Sequence, residues 1–79
     1  MSTSAYAKTH PLAGDVRFTE EMLCVQLLDG REIYAPLEWF PMLRDASEEE
    51  RNDWRLIGGG VGIHWEKLDE DLSVAGLLA

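Results

Sequence analysis

From Asp15 onward apolar side chains recur at every second position: Val16 and Phe18, then Leu23, Val25 and Leu27. That spacing places side chains on one face of a sheet and predicts β-strands. The polar triplet Thr19-Glu20-Glu21 separates the first two runs. Asp29-Gly30 then stands between Leu27-Leu28 and Ile33, and this dipeptide suits the positive φ values of a tight hairpin turn. The pattern predicts a three-stranded antiparallel meander over residues of about 15–19, 22–28 and 31–35.

Pro36 ends the third strand, because it lacks the N–H that a sheet ladder needs. The following "LEWFPMLRDA" predicts a short helix starting near Leu37 or Glu38, with Pro41 in or just beyond the first turn, where few intrahelical bonds are lost. Leu37, Phe40 and Leu43 or Arg44 then share the face that packs on the sheet. In "SEEERNDW", Ser47 is the N-cap of a second helix and Glu50 completes a capping box. Glu48, Glu49 and Glu50 complement the positive end of that helix. Period two returns with Val61, Ile63 and Trp65 on one face and Gly62, His64 and Glu66 on the other. A short C-terminal helix follows, capped by Ser73.

The opening "MSTSAYAKTHPLAG" shows no apolar periodicity and contains Pro11 and Gly14. The expected organisation is a flexible leader over 1–14 and a single domain over 15–79. The expected fold class is α+β: an antiparallel β-meander followed by two short helices, a further strand or hairpin and a short C-terminal helix, with helices covering one sheet face.

Charge narrows the function classes. Fifteen acidic against seven basic residues give a formal charge of −8, which repels phosphate backbones and argues against direct nucleic-acid binding. An acidic surface suits a basic protein partner. No run approaches the roughly 18 apolar residues that cross a bilayer, and no basic segment followed by an apolar stretch opens the chain. No membrane association and a cytoplasmic location are the expectation. Cys24, the one cysteine, lies in the apolar run "MLCVQLL" and is read as core or near-core.

The stretch "GGGVGIHWEKLDEDLS" concentrates the candidate chemistry. Its glycines lead into a strand with no following Gly-Lys-Ser or Gly-Lys-Thr, so they suit a turn, bulge or close backbone approach better than a phosphate loop. His64 with Glu66, Asp69, Glu70 and Asp71 offers donors that divalent ions accept, but in no zinc or EF-hand spacing. His10, beside Pro11, has no clustered ligands near it. For catalysis, Ser73 and Cys24 are the conceivable partners of His64, one beyond a turn and the other in the expected core. No catalytic residue, metal or cofactor is expected.

The ordered words "DGREIYAPLEWFPMLRDASEEERNDW", "LIGGGVGIHWEKLDEDLSV" and "GLL" resemble a bacterial family known as domain of unknown function 2442. The resemblance covers about Val16 to Leu78. It rests on Asp29-Gly30-Arg31, Pro36-Leu37, Trp39-Phe40-Pro41 with Leu43, Ala46 with Glu50-Arg51 and Trp54, Gly62-Ile63-His64-Trp65 and Leu68-Asp69-Glu70-Asp71. It implies a small α+β fold without recognised catalytic residues. It also implies a setting beside a second small protein, in arrangements that look like toxin–antitoxin pairs. Some relatives carry an added helix-turn-helix domain, and no such domain is expected in this chain.

Acidity and resemblance together point to a non-enzymatic protein-interaction module, the antitoxin-like or regulatory member of a two-protein operon, binding a basic operon neighbour. The expected contact residues are Glu48, Glu49 and Asp53 at the acidic helix, Asp69 and Asp71 in the acidic turn, His64, and Trp39 or Trp65 as the aromatic anchor. Two further roles stay open: a small-ligand or metal-binding regulatory domain around His64, and an acidic nucleic-acid mimic. A homodimer through a sheet edge or apolar face is compatible with each.

Overall fold

A computed structural model of the chain describes residues 11–79. Strands β1 (Ala13–Phe18), β2 (Met22–Leu27) and β3 (Glu32–Pro36) form the expected antiparallel meander, ordered β1-β2-β3. After it come a 3-10 turn (Leu37–Trp39) and helices α1 (Pro41–Arg44) and α2 (Glu48–Asn52). Strands β4 (Trp54–Ile57), β5 (Gly62–Trp65) and β6 (Glu70–Ser73) form a second antiparallel sheet, ordered β4-β5-β6, and α3 (Val74–Leu78) follows it. The α+β class and the element order are as the pattern predicts, but there are two three-stranded sheets where one was expected. The expected leader over 1–14 lies outside the described residues as far as His10, and its last two residues, Ala13 and Gly14, belong to β1.

The register of the first sheet follows its alternation. Val16 pairs with Val25 and Val25 with Ile33, while Phe18 pairs with Leu23 and Leu23 with Ala35, so these side chains share the inner face. At the β2–β3 hairpin the expected two-residue turn is replaced by a longer one. Leu27 N donates to Arg31 O (2.8 Å) across a loop of Leu28, Asp29 and Gly30. Only Gly30 takes the left-handed conformation there, at φ +98°. That is the form of a type I turn closed by a left-handed glycine. The Arg31 main-chain N–H and guanidinium both donate to the Asp29 carboxylate, and those bonds hold its pKa below the ordinary range.

The expected single helix over "LEWFPMLRDA" is broken in two. Phe40 has φ −131° and ψ 78°, outside the helical region, and Pro41 opens α1 at its first position. The ring of Pro41 disfavours a helical residue immediately before it, which stops the 3-10 turn at Phe40 and restarts the chain as α1. The shared face survives the break: Leu37 and Leu43 are buried and Phe40 packs against the core. α2 carries the full capping box, with Glu50 N donating to Ser47 Oγ (3.1 Å) and Ser47 N to Glu50 Oε1 (2.9 Å). Trp54, two residues beyond this helix, opens β4 and pairs with Trp65.

A single apolar cluster joins both sheets, with Leu23, Val25, Leu43, Ile63, Trp65 and Val74 fully covered. Trp65 is at its centre. The Trp65 ring meets Phe18 edge-on, with centroids 6.3 Å apart, and its indole N–H donates to Arg51 O at 2.9 Å. The guanidinium of Arg51 stands 5.5 Å over the Phe18 ring and donates to the carbonyls of Leu43 (2.9 Å) and Arg44 (2.8 Å). Val61, expected in the same buried stripe as Ile63 and Trp65, is exposed: it belongs to the β4–β5 turn, and β5 starts one residue later.

That turn also ties the sheets together at the backbone. Ala13 N donates to Gly60 O (2.8 Å), and a Cβ on Gly60 would lie 2.5 Å from Ala13 O. With φ at +118°, Gly60 is a position that other residues enter only under strain. Two stability predictions follow from this packing. Trp65→Phe leaves the Arg51 carbonyl without its donor and opens a small cavity, and lowers unfolding free energy in urea by about 1–3 kcal/mol. Gly60→Ala combines backbone strain with a collision against Ala13, and loses a similar amount, about 1–3 kcal/mol, in the same measurement.

Candidate functional site

The outer face of the second sheet holds the polar residues that the sequence singled out. Arg55, His64 and Asp71 are register partners on β4, β5 and β6, so the pleat sets them side by side. His64 Nδ1 meets Asp71 Oδ1 at 2.5 Å, and Nε2 lies 3.3 Å from Glu66 Oε1. The same Glu66 oxygen accepts from Arg55 Nη2 at 3.1 Å. The His64 side chain keeps only 13% of its exposure, whereas the carboxylates of Glu66 and Asp71 keep 71% and 68%. The imidazole is thus the covered centre of a row whose rim is wet.

This arrangement separates the donors that a metal would need together. Asp71 and Glu66 approach opposite nitrogens of one ring and do not converge on a common point, whereas a divalent ion requires its ligands within about 2.0–2.6 Å of a single centre. Among the described residues no group of three His, Cys, Asp or Glu could hold a metal ion. The conceivable nucleophiles are placed elsewhere. Ser73 Oγ accepts from Gly76 N (2.9 Å) as the cap of α3, and Cys24 belongs to the other sheet.

Cys24 is buried, but not within the apolar core. Its register partners are Arg17 and Tyr34, on the outer face of the first sheet. Arg17 Nη2 donates to its sulfur at 3.2 Å, Tyr34 OH donates to Glu32 Oε1 at 2.8 Å, and Glu32 pairs with Arg17 at 3.4 Å. The bond to Glu32 is the main cause that raises the Tyr34 pKa above its ordinary value, since a phenolate could not donate to a carboxylate. These three side chains form a polar lid over the thiol. Its position at an even offset from Met22, opposite to the Leu23-Val25-Leu27 stripe, carries that information in the sequence.

The expected contact residues do not gather into one site. Glu48 and Glu49 are exposed in the first turn of α2, and Asp53 follows that helix with Lys67 Nζ at 4.0 Å. Asp69 is exposed in the β5–β6 turn at φ +51°. Trp65 is fully buried, so it cannot serve as the aromatic anchor; its large ring is consumed by the contact between the sheets. Asp71 and Glu70, expected in a turn, belong to β6, because Leu72 points inward beside Ile63 and sets the alternation around them.

Trp39 is 68% exposed, more than the other exposed aromatic among the described residues, Tyr34 at 52%. Its ring stands at 66° to that of Phe40, with centroids 6.5 Å apart. These two residues form one wall of a groove of about 260 Å³ whose other side is Leu72, Ser73 and Leu77, with Asp71 at its rim. Asp71 therefore belongs both to the His64 row and to this groove. The neighbouring Glu38 is occupied by Arg44 (2.8 Å), which also grips Asp45 (2.9 Å). Those contacts, Asp45 first, raise the Arg44 pKa further, while Arg44 lowers that of Asp45. The groove residues Phe40, Leu72 and Leu77 and the cross-strand Arg55 were not among the expected site residues. The groove residues come together only because β6 and α3 lie beside the 3-10 turn, whereas Arg55 reaches the His64 row through the pairing of β4 with β5.

A family model described as a protein of unknown function, DUF2442, matches residues 13–79. The chain belongs to this family. Two solved structures are similar to it. A crystal structure of a protein of unknown function from Rhodospirillum rubrum has 32% identity and a TM-score of 0.75, covering 89% of this chain and 87% of that one. A solution structure of an uncharacterized protein from Chromobacterium violaceum has 25% identity and a TM-score of 0.71, covering 85% of this chain and 63% of that one. No curated protein matches the chain.

The His64–Asp71 contact is open to direct measurement. In a double-mutant cycle with His64→Ala and Asp71→Ala, urea unfolding should return a coupling of about 0.5–1 kcal/mol, the range of a pair with one covered and one exposed member. Zero coupling would mean that the two side chains are placed by the sheet alone.

Proposed function

We propose that this chain is a non-enzymatic protein-interaction module that engages a basic protein partner, as the antitoxin-like or regulatory member of a two-protein operon. The observation that carries this reading is the exposure of Trp39 beside an apolar groove in a chain of net charge −8. An indole left in water at the edge of a concave apolar surface is the type of residue that dominates binding energy when a partner covers it. The surrounding acidity steers a basic surface toward it and discourages acidic competitors.

The alternatives have less behind them. A ligand or metal centre on His64 is disfavoured by carboxylates that grip opposite ring nitrogens. A nucleic-acid mimic rests on net charge alone. For a partner protein, the capped α2 with Glu48 and Glu49, and Asp53 beyond it, would provide long-range attraction, and Trp39 and Asp71 the local contact.

The test is co-expression with the product of the adjacent gene. The expected outcome is a complex that co-elutes at low ionic strength and dissociates as salt rises toward 1 M, where the Debye length falls to about 3 Å. Growth inhibition caused by the neighbour alone should be relieved by this chain. Absence of a complex at low salt, together with unrelieved growth inhibition, would remove the reading.

A further inference from the structure

The groove beside Trp39 runs along a strand edge. β6 is the last strand of the second sheet, with β5 on one side only. Val74 N donates to Val61 O (3.0 Å), one residue beyond the Gly62–Ser73 register pair. In an antiparallel ladder the N–H and C=O of one residue point the same way, and successive residues alternate. Leu72 and Glu70 therefore direct their main-chain groups toward β5, as Val74 does. Asp71 and Ser73 direct theirs outward, and among the described residues neither amide has another main-chain acceptor. The Ser73 carbonyl already takes the first bond of α3 as its N-cap, so the outward edge offers an added strand the N–H and C=O of Asp71 and the N–H of Ser73.

The side chains on the two faces of this edge differ in kind. Leu72 points to the inner face, where Phe40 and Leu77 line the groove and Trp39 walls it. Asp71 points to the outer face, and its Oδ1 contacts His64 while most of the carboxylate stays in water. Directly opposed cross-strand residues sit about 4.5–5.5 Å apart and interact as pairs, with opposite charges favoured. A strand laid against β6 would then meet an apolar requirement opposite Leu72 and a cationic one opposite Asp71. Among the described residues no Lys or Arg lines the groove, so His64 holds one oxygen of that carboxylate and no fixed cation holds the other.

We propose that the β6 edge receives an extended segment of the basic partner as a fourth strand of the second sheet, with Lys or Arg facing Asp71 and an apolar side chain entering the groove over Leu72. This deepens the interaction reading and rests on it. Trp39 closes over the apolar side chain, and Asp71 selects the register, since a shift by one residue would turn the cation into the groove.

The probe is an acetylated hexapeptide alternating lysine and valine, titrated into the isotope-labelled full chain and followed by amide chemical shifts. Saturable shifts are expected at Asp71, Ser73 and the residues flanking Trp39. Trp39→Ala, at an exposed position, and Asp71→Asn should each weaken binding at least tenfold. A peptide N-methylated at the residue pairing with β6 should lose binding, whereas an N-methyl on the outward-facing neighbour is tolerated. Shifts scattered over the Glu48–Asp53 helix, equal binding by the doubly substituted chain, indifference to N-methylation, or no binding at millimolar peptide would each overturn the proposal. Failure here is distinguishable from failure of the broader reading. An operon partner that still co-elutes with the doubly substituted chain displaces the site alone, whereas peptide binding without any operon complex leaves the edge and removes the assigned role.

Discussion

The indole of Trp65 touches every layer of this domain. Its ring edge meets Phe18 on the first sheet, its N–H holds the Arg51 carbonyl at the end of α2, and its own strand is the middle of the second sheet. Arg51 returns across the same junction, stacking on Phe18 and binding the carbonyls that end α1. A chain this short buries only about 60–65% of its unfolded surface, and its apolar residues form one core drawn from both sheets. One large side chain shared between the sheets and satisfied in its polar atom does what a second layer of core would do in a larger protein.

That arrangement explains why the acidic residues lie where they do. With the inner faces of both sheets committed to the junction, the charged and polar side chains occupy the outer faces and turns. There, Asp29, Glu38 and Glu66 find arginines nearby: Arg31, Arg44 and Arg55. Such exposed pairs contribute little stability individually. Their larger effect is on the charge that remains: Asp71 shares its oxygen with a largely covered histidine and borders an apolar groove, with no arginine on it among the described residues.

Much of the fold was legible in the sequence because its signals were local. Alternation in Val16 to Leu27, the Ser47–Glu50 box and the Ser73 cap each concern residues within a few positions of one another, and each appears in the structure. The misreadings arise where a local signal has two outcomes. Pro41 can open a helix or break one, and the non-helical Phe40 shows that it does both here. "WRLI" is too short to declare a strand, and it becomes β4 through its pairing with β5 across the Gly58–Val61 turn. "EDLS" carries a single inward-facing apolar residue, Leu72, so its strand character depends on Ile63 being beside it.

The candidate site was legible only in part, for a related reason. His64 and Asp71 are separated by a turn, and the strand pairing that joins them could be guessed from alternation once β6 is admitted. Trp39 and Trp65 could not be told apart by type, because a tryptophan suits both a core and an interface. The distinction comes from their backbones. Trp65 sits on a central strand whose inner face must be filled, whereas Trp39 ends a 3-10 turn cut short by Pro41 and projects past the core that Leu37 and Phe40 have already reached. At about 100° per residue, residue 39 stands about 200° from Leu37, away from the face that Leu37, Phe40 and Leu43 bury, so its exposure beside the β6 edge follows from its place in the turn. The exposed tryptophan is thus a consequence of its place on the helical turn, and Asp71 borders the same groove from the β6 side.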